Sequence, residues 1–181
     1  MPLPIKGRRL ILAALSGLAL TGCGQMLNSS KSAPTQTART FDAKTVDCME
    51  RAMFFESHRS SRDGLVGVGT VVMNRVGSPD FPNTVCGVVS QRNQFAPGVM
   101  TRAMTSSAMP RVQEAARAVL AGERHPMVER ARFFHTAGHS FPYNNMHYVV
   151  TAGGNSFYEK RRSHLVTQPK TLRATEGLTG T

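Results

Sequence analysis

Apolar residues recur at helical spacing soon after residue 40. Val46, Met49 and Met53 lie three and four residues apart and form one apolar stripe. We predict a helix over residues 42–59, with the aspartate at its start as the cap. The stripe continued by three residues reaches Glu56, so the pattern places a carboxyl group on the core-facing side of the helix, near its end.

The next segment keeps the same period but admits two interpretations. Its regularly spaced apolar positions are Leu65, Val68, Val72 and Val76. Two consecutive valines and the pair Gly67 and Gly69 are also compatible with a strand. We favour a helix that ends at Gly77, and we expect its glycines to let another helix approach closely.

The later elements complete an α+β fold that is mainly helical with a small antiparallel sheet. We predict short helices over 85–89 and 111–121, and strands over 131–136, 146–150 and 156–159. The segment after residue 160 is basic and polar, and we expect it to form a loose tail.

The first 23 residues have the pattern of an export signal. A basic stretch precedes an apolar run, residues 10–20, that is too short to span a bilayer comfortably. The run ends in Leu20-Thr21-Gly22-Cys23, which resembles a bacterial lipobox. We expect lipid on Cys23 to tether the protein to a membrane; the alternative is an ordinary signal peptide with a stray cysteine. Gly24, where retention in the inner membrane usually requires aspartate, points to the outer membrane, facing the periplasm.

The remaining chain divides by composition into a linker, a domain and a tail. Residues 24–40 are rich in Ser, Thr, Gln, Lys and Ala, so we expect a flexible linker. Residues 41–160 form the predicted catalytic domain, and residues 161–181 are the basic polar tail. Length favours one compact domain, and we expect a monomer.

The charge balance indicates an acidic partner. The chain carries 22 Lys and Arg against 11 Asp and Glu, and 19 of those basic residues lie beyond the signal, a surplus of eight. Such a surplus suits nucleic acid, an anionic membrane or an anionic polysaccharide. Export argues against nucleic acid, and charge alone does not choose between the other two.

Two cysteines remain after Cys23 is assigned to lipid. Cys48 and Cys86 are 38 residues apart, and an even pair in an oxidising compartment suggests a disulfide. The alternative is two buried free thiols. Six histidines invite a metal site, but the His-Glu-x-x-His pattern is missing, and Gly138 and Pro142 break any helix around His135 and His139. We expect neither a metal nor a cofactor.

Glu56 is the strongest candidate for chemistry. A carboxyl group packed among apolar side chains loses solvation in its charged form, and this raises its pKa. A protonated carboxyl facing a cleft is a general acid that can protonate a glycosidic oxygen. The alternative is a solvated glutamate, or one paired with Arg59 or Arg62.

Several short motifs, in this order and spacing, resemble the SleB-type cell wall hydrolase family. They are Phe54-Phe55-Glu56-Ser57-His58, Val71-Val72-Met73-Asn74-Arg75-Val76, Phe81-Pro82-Asn83-Thr84-Val85-Cys86-Gly87-Val88-Val89 and Gln94-Phe95. Phe133-Phe134-His135 resembles a later segment of the family, and Gly154-Asn155-Ser156-Phe157-Tyr158 resembles its closing Gly-x-His-x-Phe-Tyr.

The resemblance implies a lysozyme-like fold and cleavage of peptidoglycan between N-acetylmuramic acid and N-acetylglucosamine. The family's catalytic glutamate falls on Glu56, and its exported members often carry the pair Cys48 and Cys86. We expect five residues to contact substrate: Asn74, Gln94, Phe95, His135 and Tyr158. The alternative for each is a structural role, and for Phe95 in particular a place in the core.

Some positions depart from the family pattern. Ser57 and His58 replace the usual Ala-Arg, and Ser61 stands where a second acid is common. Ala96 replaces a common serine, and Asn155 replaces the usual histidine. These changes keep a second interpretation open, a lipoprotein that binds peptidoglycan through a degenerate groove without cutting it.

Only Asp63 and Asp80 are plausible second carboxylates, and both have the sequence context of turn or cap residues. A hydrolase usually needs two carboxylates. A single glutamate fits a lytic transglycosylase better than a muramidase-type hydrolase, because the muramic acid C6 hydroxyl then serves as the nucleophile.

Overall fold

Within the residues that it describes, 40–59 and 61–180, the computed structural model contains four α-helices followed by three strands. The helices are α1 (Ala43–Glu56), α2 (Arg62–Val76), α3 (Val85–Val89) and α4 (Met109–Ala121). The strands are β1 (Phe133–Thr136), β2 (Met146–Ala152) and β3 (Asn155–Lys160), and a 3-10 helix, Ser163–Leu165, follows. The predicted signal, the predicted lipidation site Cys23 and most of the predicted linker lie outside the described residues.

The predicted α+β class is confirmed, and the ambiguous second segment is a helix. Asp42 caps α1 by accepting a hydrogen bond from the Thr45 N–H, and Gly77 ends α2 as predicted. The first helix stops at Glu56, three residues before the predicted end. There the buried Ser57 hydroxyl donates to the Met53 carbonyl, and His58 and the following arginine adopt positive φ. Left-handed backbone cannot continue a right-handed helix.

Helices α1, α2 and α4 pack around a common apolar core. Gly69 makes this possible, because a Cβ there would overlap the end of Met53 on α1 and touch Val119 on α4. The expected close helix approach is therefore present. Gly67 instead receives the ring of Phe157, which brings strand β3 against α2.

The sheet is antiparallel in the order β1-β3-β2. Phe157 is fully buried on the side that contacts the helices. Because side chains alternate along a strand, its neighbour Tyr158 projects to the other face, where it pairs with Phe133 and Tyr148. One face of the sheet thus completes the core, and the other carries a row of aromatic rings.

The segment after residue 160 is held against the domain, unlike the expected loose tail. The buried Asp63 carboxylate accepts hydrogen bonds from the Leu178 and Thr179 N–H groups at 2.9 and 2.7 Å. Glu176 accepts from the Gly153 N–H at 2.6 Å. Local composition alone indicated an unstructured tail. It could not reveal these contacts, because Asp63 and Gly153 lie outside the tail in the sequence.

In residues 40–59 and 61–180, every helix is too short or too polar to cross a membrane.

The disulfide between Cys48 and Cys86 joins α1 to α3, with their Cα atoms 5.2 Å apart.

Candidate active site

Glu56 is the last residue of α1, and two later parts of the chain hold it there. Its Oε1 accepts a hydrogen bond of 2.5 Å from the main-chain N–H of Ala96, in the loop after α3. Its main-chain carbonyl accepts one of 2.6 Å from Nδ2 of Asn155, at the start of β3. The side chain is partly buried. The carboxyl is therefore fixed at the junction of helix, loop and sheet.

The surroundings of Glu56 favour its protonated form. Burial raises the pKa of the Glu56 carboxyl above its ordinary value, while the Ala96 N–H and the positive charge of Arg75 oppose the rise. The two arginines named as possible partners are engaged elsewhere. Arg59 donates to the Phe54 carbonyl, and Arg62 pairs with glutamates of α4 and its following loop. Glu56 thus has the character of a general acid.

Arg75 is a buried cation beside this acid. It is only 4% exposed, and its guanidinium lies over the rings of Phe81, Phe95 and Phe133 at 5.1, 5.4 and 5.9 Å from their centroids. Its Nε donates to the Arg132 carbonyl at 2.8 Å. Burial lowers the pKa of Arg75 to about 10, and the charge of Glu56 opposes that change. The stacked rings hold a positive charge close to the carboxyl.

The substitutions relative to the family pattern are explained by contacts in this structure. Ala96 contributes its backbone N–H to Glu56, so a side-chain hydroxyl is not needed for that contact. Ser61 caps α2 by accepting from the Gly64 N–H. Asn155 is 2% exposed and uses its amide on the end of α1. Of these three residues, Ala96 and Asn155 contact Glu56 directly.

The two possible second carboxylates lie in other networks. Asp63 binds the tail, and Asp80 pairs with Arg132 at 2.8 Å. Among the described residues, the one charged group that shifts the pKa of Glu56 is Arg75. Within the described residues, neither aspartate is among the groups that shift the pKa of Glu56.

Three of the predicted substrate contacts differ in their placement. Gln94 is exposed in the loop that carries Ala96, two residues before it. Phe95 is 9% exposed and lies beneath Arg75, so it forms part of the floor of the site and we do not expect it to stack on a sugar. Asn74 donates to the carbonyls of Glu129 and Ala131 at 2.9 and 2.8 Å, and its amide fastens the loop before β1.

The other two predicted contacts meet on the aromatic face of the sheet. Tyr158 stacks on Phe133, with their centroids 5.5 Å apart, and the His135 ring lies 5.8 Å from Tyr158. His135 Nδ1 donates to the Thr136 carbonyl at 2.9 Å, because a carbonyl can only accept, and Nε2 is hydrogen-bonded to the Tyr148 hydroxyl at 2.9 Å. The histidine is therefore held in one orientation.

Sequence reasoning missed Arg75 and the positioning role of Asn155. Arg75 lies three residues after Val72 and seven after Val68, so it falls on the core-facing stripe of α2. The logic that identified Glu56, a charge on an apolar stripe, would also have found it. The contact between Asn155 and Glu56 spans 99 residues, and local pattern gives no signal for it.

The comparisons with known proteins agree with the function that the geometry of the site suggests. The sequence profile of a family described as Cell Wall Hydrolase matches residues 59–158, more than half of the chain. The chain belongs to the cell wall hydrolase family. The matched stretch begins three residues after Glu56, so the assignment of this cell wall hydrolase's acid depends on the contacts described above. No curated protein matches the chain.

Two solved structures have the same fold as this cell wall hydrolase. One is the catalytic domain of the germination-specific lytic transglycosylase SleB from Bacillus anthracis, with 24% identity and a TM-score of 0.53 over 67% of this chain and 98% of that one. The other is the catalytic domain of the Bacillus cereus SleB protein, with 22% identity and a TM-score of 0.53 over 71% and 99%. The predicted lysozyme-like fold of the SleB catalytic domains is confirmed.

Proposed function

We propose that this cell wall hydrolase cleaves the glycosidic bond between N-acetylmuramic acid and N-acetylglucosamine in peptidoglycan, as a lytic transglycosylase with Glu56 as its one catalytic carboxyl. Membership of the family supports a cell wall substrate. The similar Bacillus anthracis structure is titled a lytic transglycosylase. The observation that carries the proposal is the partly buried Glu56 carboxyl with a raised pKa and no acidic partner acting on it within the described residues.

In the first step, the protonated Glu56 carboxyl donates its proton to the glycosidic oxygen. The bond between that oxygen and C1 of muramic acid breaks, and the N-acetylglucosamine side leaves with a new hydroxyl group. Glu56 is now a carboxylate, and the Ala96 N–H and the charge of Arg75 stabilise it. These two interactions lower the free energy that is needed to create a charge in a partly buried site.

In the second step, the C6 hydroxyl of the same muramic acid attacks its own C1. The hydroxyl proton passes to the Glu56 carboxylate, a C6–O–C1 bond forms, and the product is a 1,6-anhydro sugar. Glu56 ends protonated and ready for another cycle. One carboxyl acts in turn as acid and base, so the reaction needs neither a second carboxylate nor an attacking water.

Digestion of purified sacculi followed by mass spectrometry of the soluble muropeptides tests this function. We expect anhydro-muramic products from the wild type and none from Glu56→Gln. Glu50→Gln is the matched control, because Glu50 is a buried glutamate of the same helix and burial also raises its pKa. That variant should still release products. Reducing muramic ends without anhydro products would indicate a hydrolase, and binding without any release would indicate a non-catalytic module.

We further propose that the enzyme is an exported lipoprotein, anchored through lipid on Cys23 and facing the periplasm from the outer membrane. The lipobox-like sequence before Cys23 and the following Gly24 support this location. Metabolic labelling with a radioactive fatty acid should mark the wild type and leave Cys23→Ala unlabelled. Membrane fractionation should then recover the wild type with the outer membrane.

A further inference from the structure

The aromatic face of the sheet forms a continuous strip that begins beside the acid. The aromatic strip consists of the half-buried Phe133, His135 and Tyr158, and the buried Tyr148, only 4% exposed, packs against the last two. At one end, Phe133 lies under the guanidinium of Arg75, whose charge also acts on Glu56 and Tyr158. Arg75 therefore links the strip to the proposed site of bond cleavage.

At its other end the strip meets two exposed rings of the loop between β1 and β2. Phe141 contacts His135 edge to face, with centroids 4.8 Å apart. Tyr143 lies parallel to Phe141 within 10°, at 6.1 Å. The side chains of Phe141 and Tyr143 are 44% and 65% exposed. Among the large apolar side chains exposed in the described residues, these are the two aromatic ones, and they are neighbours.

The short Phe-Pro-Tyr sequence fixes this arrangement. Pro142 restricts the backbone between the two rings, because its φ is locked by the pyrrolidine ring. The rings therefore present flat apolar faces to solvent without having to be ordered by a ligand. Preorganised aromatic faces lower the entropy that binding must overcome.

The composition of this loop selects a neutral ligand. Residues 137–145 contain no Lys, Arg, Asp or Glu, although the chain as a whole is strongly basic. Its polar residues include Ser140, Asn144 and Asn145, which carry neutral donors and acceptors. An anionic stem peptide would favour a basic loop. A sugar ring presents polarised C–H groups to the negative face of an aromatic ring and hydroxyl and amide groups to its edges.

We infer that Phe141 and Tyr143 form a sugar-binding subsite for a neutral N-acetylglucosamine-type ring of the glycan strand, at the end of the aromatic strip opposite Arg75. This subsite rests on the proposed function, because it assumes that a glycan strand bound at Glu56 also reaches these rings. It extends the site beyond the residues that the sequence predicts as substrate contacts. A strand long enough to reach both places gains affinity, and a short one does not.

Binding in the non-cleaving Glu56→Gln background tests the subsite. Short and long N-acetylglucosamine oligomers are titrated by calorimetry against that protein and against the same protein with Phe141→Ala and Tyr143→Ala. We expect the double change to weaken the Kd of the long oligomers about tenfold and to leave the short ones unchanged. Because both rings are exposed, the thermal midpoint should change little, which excludes unfolding as the cause.

Two matched variants separate stacking from general apolar contact. Tyr143→Trp keeps a flat face and should retain tight binding, whereas Tyr143→Leu removes the face and should lose it. Leu165→Ala removes an exposed apolar side chain from the 3-10 helix and should have no effect. Equal loss for short and long oligomers, tight binding by Tyr143→Leu, or an affinity change confined to isolated stem peptides would overturn the inference. Failure of the wild type to cut sacculi while this ring-dependent binding persists would remove only the proposed function.

Discussion

The amide of Asn155 and the main-chain carbonyl of Glu56 are joined by a hydrogen bond of 2.6 Å. This contact connects the first residue of β3 to the last residue of α1. A helix ends with carbonyls that lack partners inside the helix, and Asn155 satisfies one of them in a buried position. The residue that carries the acid is thus held by the sheet as well as by its own helix.

Asn155→Ala should reduce activity more than it reduces the fraction of folded protein. The change leaves a buried carbonyl without its partner, so we expect a loss of about 1–3 kcal/mol in the free energy of unfolding. It also frees the end of α1, so kcat should fall even where the protein is fully folded. Urea unfolding and initial rates on sacculi, compared at the same folded concentration, measure the two effects.

A control and a rescue distinguish positioning from general stability. Thr70→Ala removes a buried hydroxyl that accepts from the His125 N–H outside the site, and it should lower stability by a similar amount with kcat preserved. Asn155→His supplies a ring N–H and the residue that is usual in the family, and it should restore much of the rate. Proportional loss of rate and stability in both alanine variants would contradict a positioning role.

Removal of the buried cation should move the pH dependence of activity. The charge of Arg75 lowers the pKa of Glu56 against the effect of burial. In Arg75→Met that opposition is lost, so the pKa of Glu56 rises, and the protonated, active form persists to higher pH. We expect the alkaline limb of the rate profile to shift upwards, with an equal shift in the NMR titration of the carboxyl.

Arg132→Met is the matched control for this shift. Arg132 lies over the same Phe81 ring, at 5.9 Å, but its charge is paired with Asp80. Its removal should leave the alkaline limb in place. A limb that stays fixed in Arg75→Met, or moves to lower pH, would show that Arg75 does not act on the acid.

The ionised Glu56 carboxyl should lower the free energy of unfolding at neutral pH. Burial raises the pKa of Glu56 in the folded state above its unfolded value, so the folded protein binds the extra proton. Stability is therefore highest below the unfolded pKa and decreases as the pH rises through the folded pKa. Glu56→Gln resembles the protonated form and should unfold at higher urea concentration than the wild type at neutral pH, with the difference vanishing in acid. A constant difference at every pH would contradict this explanation.

Local pattern predicted most of the helices because caps and apolar stripes are encoded within a few residues. Asp42 and Gly77 mark helix ends as predicted, and the stripe of α1 placed Glu56 correctly on a partly buried side. The end of α1 was placed too late because Ser57 closes it through its hydroxyl, and a serine in sequence gives no such indication.

The contacts that hold the site could not be predicted in the same way. Ala96 reaches Glu56 across 40 residues, and the tail reaches Asp63 across more than 110. Phe95 lies in the core beneath Arg75, which is the structural alternative to its assignment as a substrate contact. These long-range contacts depend on how the helices and strands pack against one another. The periodicity of apolar residues does not predict which polar groups will meet when they are far apart in the sequence.

Loss of the disulfide should destabilise the domain without altering the acid. Cys48 and Cys86 close a loop of 38 residues between α1 and α3. The double variant Cys48→Ala, Cys86→Ala should lose roughly 3–4 kcal/mol of unfolding free energy, chiefly because its unfolded chain is less restricted. Urea unfolding measures the loss. A reducing agent should reproduce it in the wild type and have no effect on the variant, and equal stability of all three would contradict the prediction.

The attachment of the tail to Asp63 should make stability sensitive to acid. Burial of Asp63 acts to raise its pKa, but hydrogen bonds from Thr179 and Leu178 outweigh that effect, and the folded pKa lies below the ordinary value. The stabilisation is therefore present above the unfolded pKa of the carboxyl and is lost as the pH falls through its folded pKa. Asp63→Asn should lower the free energy of unfolding by about 1–3 kcal/mol at neutral pH, with little difference from the wild type in strong acid.

Thr179→Val removes only the hydroxyl that donates to Asp63 and keeps the backbone donors, so its loss should be a fraction of that in Asp63→Asn. A protein shortened after Lys160 should lose at least as much, because the contact from Glu176 to Gly153 disappears as well. Chemical unfolding at several pH values measures all three proteins. If the shortened protein were as stable as the full chain, the tail would not contribute to the fold, and the pH dependence of Asp63 would need another cause.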